Sequence, residues 1–124
     1  MPLALGIRVT SVAPEGVKGE MLITAIHCNA NGGVNGGALM AFADTLGAVG
    51  AAGNRPSGYR GGTIESKTNF LTPGVGPVLS AVSIPLHSGR MTSVWQTTIK
   101  NADGRLVAVV TQTQIVIPGE DANG

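Results

Sequence analysis

The chain has 124 residues, of which 43% are hydrophobic and only 12% charged, and its formal net charge is +1. That length fits one domain over 1–124, and charge at about half the roughly 25% usual for soluble domains points to surface hidden in an oligomer interface. A near-neutral balance without a basic block excludes nucleic-acid recognition by phosphate neutralisation.

The first segment, GIRVTSV, alternates loosely and ends at the turn signal Ala13-Pro14-Glu15-Gly16. The second, VKGEMLITAIH, places Val17, Met21, Ile23 and Ala25 on one face and Lys18, Glu20 and Thr24 on the other, as a strand does. A turn-rich stretch, HCNANGGVNGG, leads into GGVNGGALMAFADTLGAVGAAG over residues 32–53. This helix is built almost wholly from small and apolar residues, so a sheet must wrap it. Its longest apolar run, 36–53, is interrupted by Asp44 and Thr45 and falls short of the ~20 residues that span a bilayer. The start, MPLALGIRVT, lacks the basic and long apolar regions of a secretion signal. Cys28 is the only cysteine and has no internal disulfide partner. As a small buried residue it fits a reducing compartment, and the expected location is cytoplasmic.

After the helix, RPSGYRGG reads as a loop. TIESKTNFL then alternates, with Ile64 and Phe70 on one face and Glu65, Lys67 and Asn69 on the other, until Thr72-Pro73-Gly74 breaks it. PVLSAVSIPLH and MTSVWQTTIK are two further strands, and Met91, Trp95 and Ile99 share a face of the second. Asn101-Ala102-Asp103-Gly104 is a hairpin turn. The last strand, RLVAVVTQTQIVI, is rich in β-branched residues on both faces, as in a strand covered on both sides. The tail PGEDANG is expected to fray, within residues 117–124. The order β-β-α-β-β-β-β, with one long helix against a mostly antiparallel sheet, makes an α+β domain.

Two features could carry chemistry. Asn35 is a good N-cap, which leaves the amides of Gly36 and Gly37 free in the first helical turn, where an oxyanion or polarised carbonyl can approach. The competing explanation is an ordinary capped helix start with glycines for packing. Asp44, two turns further in, either faces solvent at an edge, pairs with an arginine such as Arg55 or Arg60, or serves as a base or nucleophile in a partly dry cleft. Neither GxxxxGK[ST] nor the GxGxxG spacing is present, and no CxxC or HExxH set suggests a metal; no cofactor is expected. Phe42, Tyr59, Phe70 and Trp95 are assigned to the core, and His87 to a structural or solvated strand end.

The pattern His27-x-Asn29-x-x-Gly32-x-x-Asn35-Gly36-Gly37, followed by Asp44 in the context FADT, resembles the PaaI-like acyl-CoA thioesterases of the hotdog fold. TIESKTNFLTP and SGRMTSVWQTTIKNADGRLVAVVTQTQIVI extend the likeness from about Gly6 to Ile117. The resemblance implies a curved sheet around one central helix, a homodimer or homotetramer, and hydrolysis of an acyl-CoA with a small aryl or medium-chain acyl group. It implies that the Gly36 or Gly37 amide polarises the thioester carbonyl and that Asp44, from the neighbouring subunit, activates a water or attacks directly. Asn29 would orient carbonyl or water, Thr63 would help hold the water, and Arg90 would meet a coenzyme A phosphate. Asn35 replaces the family's usual histidine at a substrate-binding position; it can cap and donate but cannot titrate near neutral pH. The alternative is a non-catalytic or weakly active acyl-CoA-binding protein. A hydratase or dehydratase is disfavoured because the helix carries no histidine beside Asp44.

Overall fold

The computed structural model describes residues 5–119, so most of the tail expected to fray lies outside the described residues. Six strands and one long helix follow in the expected order: β1 (Ile7–Ala13), β2 (Gly16–Leu22), α1 (Gly36–Asn54), β3 (Tyr59–Phe70), β4 (Val78–Ser88), β5 (Thr92–Lys100) and β6 (Leu106–Pro118). The strands form one antiparallel sheet in the order β1-β2-β4-β5-β6-β3. α1 lies across its inner face and touches all six strands.

The helix is held by an apolar core and by close approach. Phe42, Leu46, Met21, Leu79, Trp95 and Ile99 are fully buried between α1 and the sheet. A Cβ on Gly50 would stand 2.5 Å from the Trp95 ring, and one on Gly47 would stand 2.6 Å from the Gln112 amide. These glycines let two large side chains of the sheet lie flat against the helix. The sheet does not close round it completely: Gly37, Met40, Asp44, Ala48 and Ala52 form a stripe exposed in this chain.

Several local expectations need correction. β2 stops at Leu22, so Ile23 and Ala25 are not strand residues. A 3-10 turn, Ala25–His27, follows because the buried His27 ring folds back to accept the Thr24 amide at Nδ1 (2.9 Å). That bond leaves the proton on Nε2, which donates to the Leu5 carbonyl. Cys28 is half-buried rather than buried, its sulfur 3.6 Å from the Thr24 carbonyl. The segment 59–62, expected as loop, begins β3 because Tyr59 to Gly62 pair with the far end of the long β6. Met91 falls before β5 and is 64% exposed, whereas Trp95 and Ile99 are buried as expected.

Candidate functional site

The residues singled out in the sequence gather into two groups on α1. The first surrounds the helix start. Asn29 donates its amide to the Gly33 carbonyl and accepts the Gly32 amide, closing a tight turn in which Gly32 takes φ 84°, a conformation that favours glycine. The Asn35 amide bonds the His27 carbonyl at 2.7 Å and Val34 bonds Gly74, which pins the loop to the sheet's end. Asn35 is the N-cap: its Oδ1 accepts the Ala38 amide at 2.8 Å. The amides of Gly36 and Gly37 have no hydrogen-bond partner among the described residues, as the first amides of a helix require. They carry the positive end of a 19-residue helix whose first turn holds no acidic side chain.

Beside them is a cleft of about 450 Å³ lined by Asn29, Gly36, Leu39, Phe70, Leu71 and Pro73 among others. Phe70, expected in the core, lies here instead, 55% exposed, because β3 is an edge strand and its end overhangs the helix start. A Cβ on Gly36 would come within 2.9 Å of the Phe70 ring. Asn29 Oδ1 accepts the Asn31 amide, so its Nδ2 donors remain for the cleft.

The second group surrounds Asp44. Its carboxylate is exposed in this chain and forms no ion pair; the one salt bridge among the described residues joins Arg8 to Glu20. Pairing with Arg55 or Arg60 is therefore not what holds it. Thr63 is, donating its hydroxyl to Asp44 Oδ1 at 2.6 Å. Simple alternation from Ser66 and Thr68 would turn Thr63 away from α1. A bulge between Thr63 and Glu65 inserts Ile64 and returns Thr63 to the inner face, opposite Gln114.

Arg90 stands apart from both groups, beyond the C-terminal half of α1. It lines a cleft of about 230 Å³ with Arg55, Asn54, Ser88 and Ser93. His87 is exposed beside Gly89, as expected of a strand end. Among the described residues no three of His, Cys, Asp and Glu converge as metal ligands would.

Sequence reasoning missed Gln112 and Gln114, two buried amides on the inner face of β6. Gln112 Nε2 donates to the Ala43 carbonyl at 2.9 Å, and its Oε1 accepts from Thr97 at 3.0 Å. Gln114 Nε2 donates to Thr63 Oγ1 at 2.9 Å. A signal existed: in an alternating strand both occupy the parity of Ala108, Val110 and Val116, where a core residue belongs.

Residues 31–108 match the family model of the thioesterase superfamily. The chain belongs to that superfamily. Among solved structures, the PaaI protein of Escherichia coli, from the phenylacetic acid degradation operon, is 28% identical with a TM-score of 0.87, over 95% of this chain and 84% of that one. A Pseudomonas aeruginosa thioesterase, solved as a mutant, is 26% identical with a TM-score of 0.90, over 94% and 85%. A Vibrio cholerae protein provisionally named an esterase is 29% identical over 105 residues, covering 85% of this chain and 70% of its own length. The fold is thus the hotdog of PaaI-like thioesterases, and the protein is a thioester hydrolase. No helix among the described residues is long and apolar enough to cross a membrane.

Proposed function

We propose that this thioesterase hydrolyses acyl-CoA with a small aryl or medium-chain acyl group, in the cytoplasm, at a site shared between two copies of the chain. The observation that carries this reading is a separation. Gly36 and Asp44 are eight residues apart on one helix, about 12 Å along its axis. A carbonyl held by an amide and attacked through a water spans roughly half that distance. One protomer therefore offers the donors and the apolar cleft, and a second copy brings the carboxylate. The exposed stripe bearing Met40 and Asp44, with Ile64 and Phe70 on the neighbouring edge strand, supports a homodimer, alone or paired into a homotetramer.

In this scheme Asp44 is the general base. Thr63 holds Oδ1, leaving Oδ2 to take a proton from water as its oxygen attacks the thioester carbon. The carbonyl oxygen becomes an oxyanion on the Gly36 or Gly37 amide, while Asn29 Nδ2 orients the carbonyl or the water. The carbon–sulfur bond then breaks, and the thiolate of coenzyme A recovers the proton from Asp44. Asn35 supports the donors by capping the helix, so this function of residue 35 needs no titrating group. The apolar cleft takes the acyl group, and Arg90, with Arg55 beside it, meets the phosphates of the coenzyme A moiety.

The test is release of free coenzyme A, followed with a thiol reagent, across aryl and aliphatic acyl-CoAs. Asp44→Asn is expected to lose about 100-fold or more in turnover, as removal of a general base does. Acyl-CoA recovered bound and intact from the wild-type protein would instead establish a binding protein.

A further inference from the structure

Two amides buried beneath a single helical turn require an explanation, because a buried polar group weakens a core unless its hydrogen bonds are made. Gln112 meets that need structurally, tying the Ala43 carbonyl to the sheet. Gln114 is 2% exposed and reaches no backbone group of α1; its contact is the Thr63 hydroxyl, which in turn contacts Asp44.

The direction of this chain follows from counting protons. A threonine hydroxyl has one proton and accepts through its lone pairs. Gln114 Nε2 is a donor, so Thr63 Oγ1 accepts from it, and the threonine's proton remains for Asp44 Oδ1. Reversing the Gln114 amide would draw that proton to the glutamine oxygen and set the Thr63 lone pairs against the carboxylate. We infer that Gln114 is a positioning residue for thioester hydrolysis, fixing the Thr63 proton on Asp44 Oδ1 and so holding Oδ2 toward the water. The inference rests on the reading of Asp44 as the general base. In this role Gln114 acts only through Thr63.

The experiment is a double-mutant cycle in the coenzyme A release assay with Gln114→Met, Thr63→Val and the double variant. Gln114→Met keeps the length and removes the donor; its kcat should fall about tenfold with KM unchanged, the loss of one hydrogen bond that matters in the transition state. Because Gln114 acts through Thr63, the double variant should be no slower than Thr63→Val alone. Gln114→Glu, the same shape as an acceptor, should be at least as slow as Gln114→Met, and Thr63→Ser should keep most of the wild-type rate. Unchanged kcat in Gln114→Met, or losses that multiply in the double variant, would overturn the inference. A readout that does not need any Gln114 variant to fold is the side-chain amide resonance of the native Gln114. It should move on Thr63→Val and on Asp44→Asn, and a resonance indifferent to both would also overturn the inference. Asp44→Asn in the same assay separates the two levels. Full turnover there removes the general-base reading and this inference with it, whereas collapse there with a normal Gln114→Met rate removes only the inference.

Discussion

At the scale of single residues, α1 is shaped by what its small side chains admit. A glycine inside a helix costs about 1 kcal/mol relative to alanine, yet Gly50 cannot be replaced without moving Trp95, which is only 1% exposed and has nowhere to go. Overpacking of this kind typically costs 1–3 kcal/mol, so Gly50→Ala should lose about 2 kcal/mol in urea unfolding despite its better propensity. Gly53, three residues on, has nothing within 4 Å of where its Cβ would stand, and Gly53→Ala should gain about 0.5 kcal/mol. Equal responses at the two positions would mean that Trp95 does not fix the helix. Thr68 makes a complementary case. Its hydroxyl is the one buried side-chain oxygen left without a hydrogen-bond partner among the described residues. Thr68→Val, matched in shape, should leave stability unchanged or raise it by up to about 1 kcal/mol; a clear loss would reveal a partner for that oxygen.

At the scale of elements, β3 differs from the other strands. It is the longer of the two edge strands, its side chains are nearly all exposed, and Ile64 at its bulge is 58% exposed. A long edge strand left bare is a template for pairing with another chain, which evolution normally blunts or uses. Under the proposed dimer it is used, and Ile64→Lys should raise the dimer dissociation constant at least about tenfold in sedimentation equilibrium, as loss of an interface anchor does. An unaltered dimer would place the interface elsewhere. The same bulge turns Thr63 inward, so one local irregularity serves both the strand edge and the carboxylate.

At the scale of the whole molecule, the proposed shared site requires two protomers to complement one another. Gly36→Pro removes one of the two donors and sets a ring into the cleft against the exposed Phe70, so it disables the donor side whichever amide holds the carbonyl. Proline is favoured at the first helical position, and Asn35 already has the extended backbone, φ −70° and ψ 151°, that a following proline requires. That variant and Asp44→Asn should each be inactive. Unfolded and refolded together in equal amounts, they should recover about a quarter of wild-type turnover, because half the dimers are mixed and each mixed dimer with two-fold symmetry has one intact site. No recovery would mean that the site lies within one protomer.

How much of this was legible in the sequence varies with the range of the interaction that decides it. The succession of strands and helix along the chain, the Asn35 cap and the turn at Asn101 to Gly104 follow from periodicity and turn chemistry, which act over a few residues. The pattern from His27 to Asp44 was also readable, because loop, cap and carboxylate lie in one continuous stretch. Packing decided the rest. The β2 boundary depends on how the His27 ring closes a turn, and the length of β3 on what the far end of β6 offers as a partner. The parity of Thr63 depends on a bulge that no propensity announces, and the contribution of Gln114 on a side chain 51 residues from its partner. Local backbone chemistry is enough to say which elements exist, which polar groups a helix start leaves open, and that Gly36 and Asp44 stand eight residues apart on one helix. Contacts between distant segments settle that Thr63, rather than an arginine, holds Asp44 and that Phe70 overhangs the helix start, since both depend on distances across the fold.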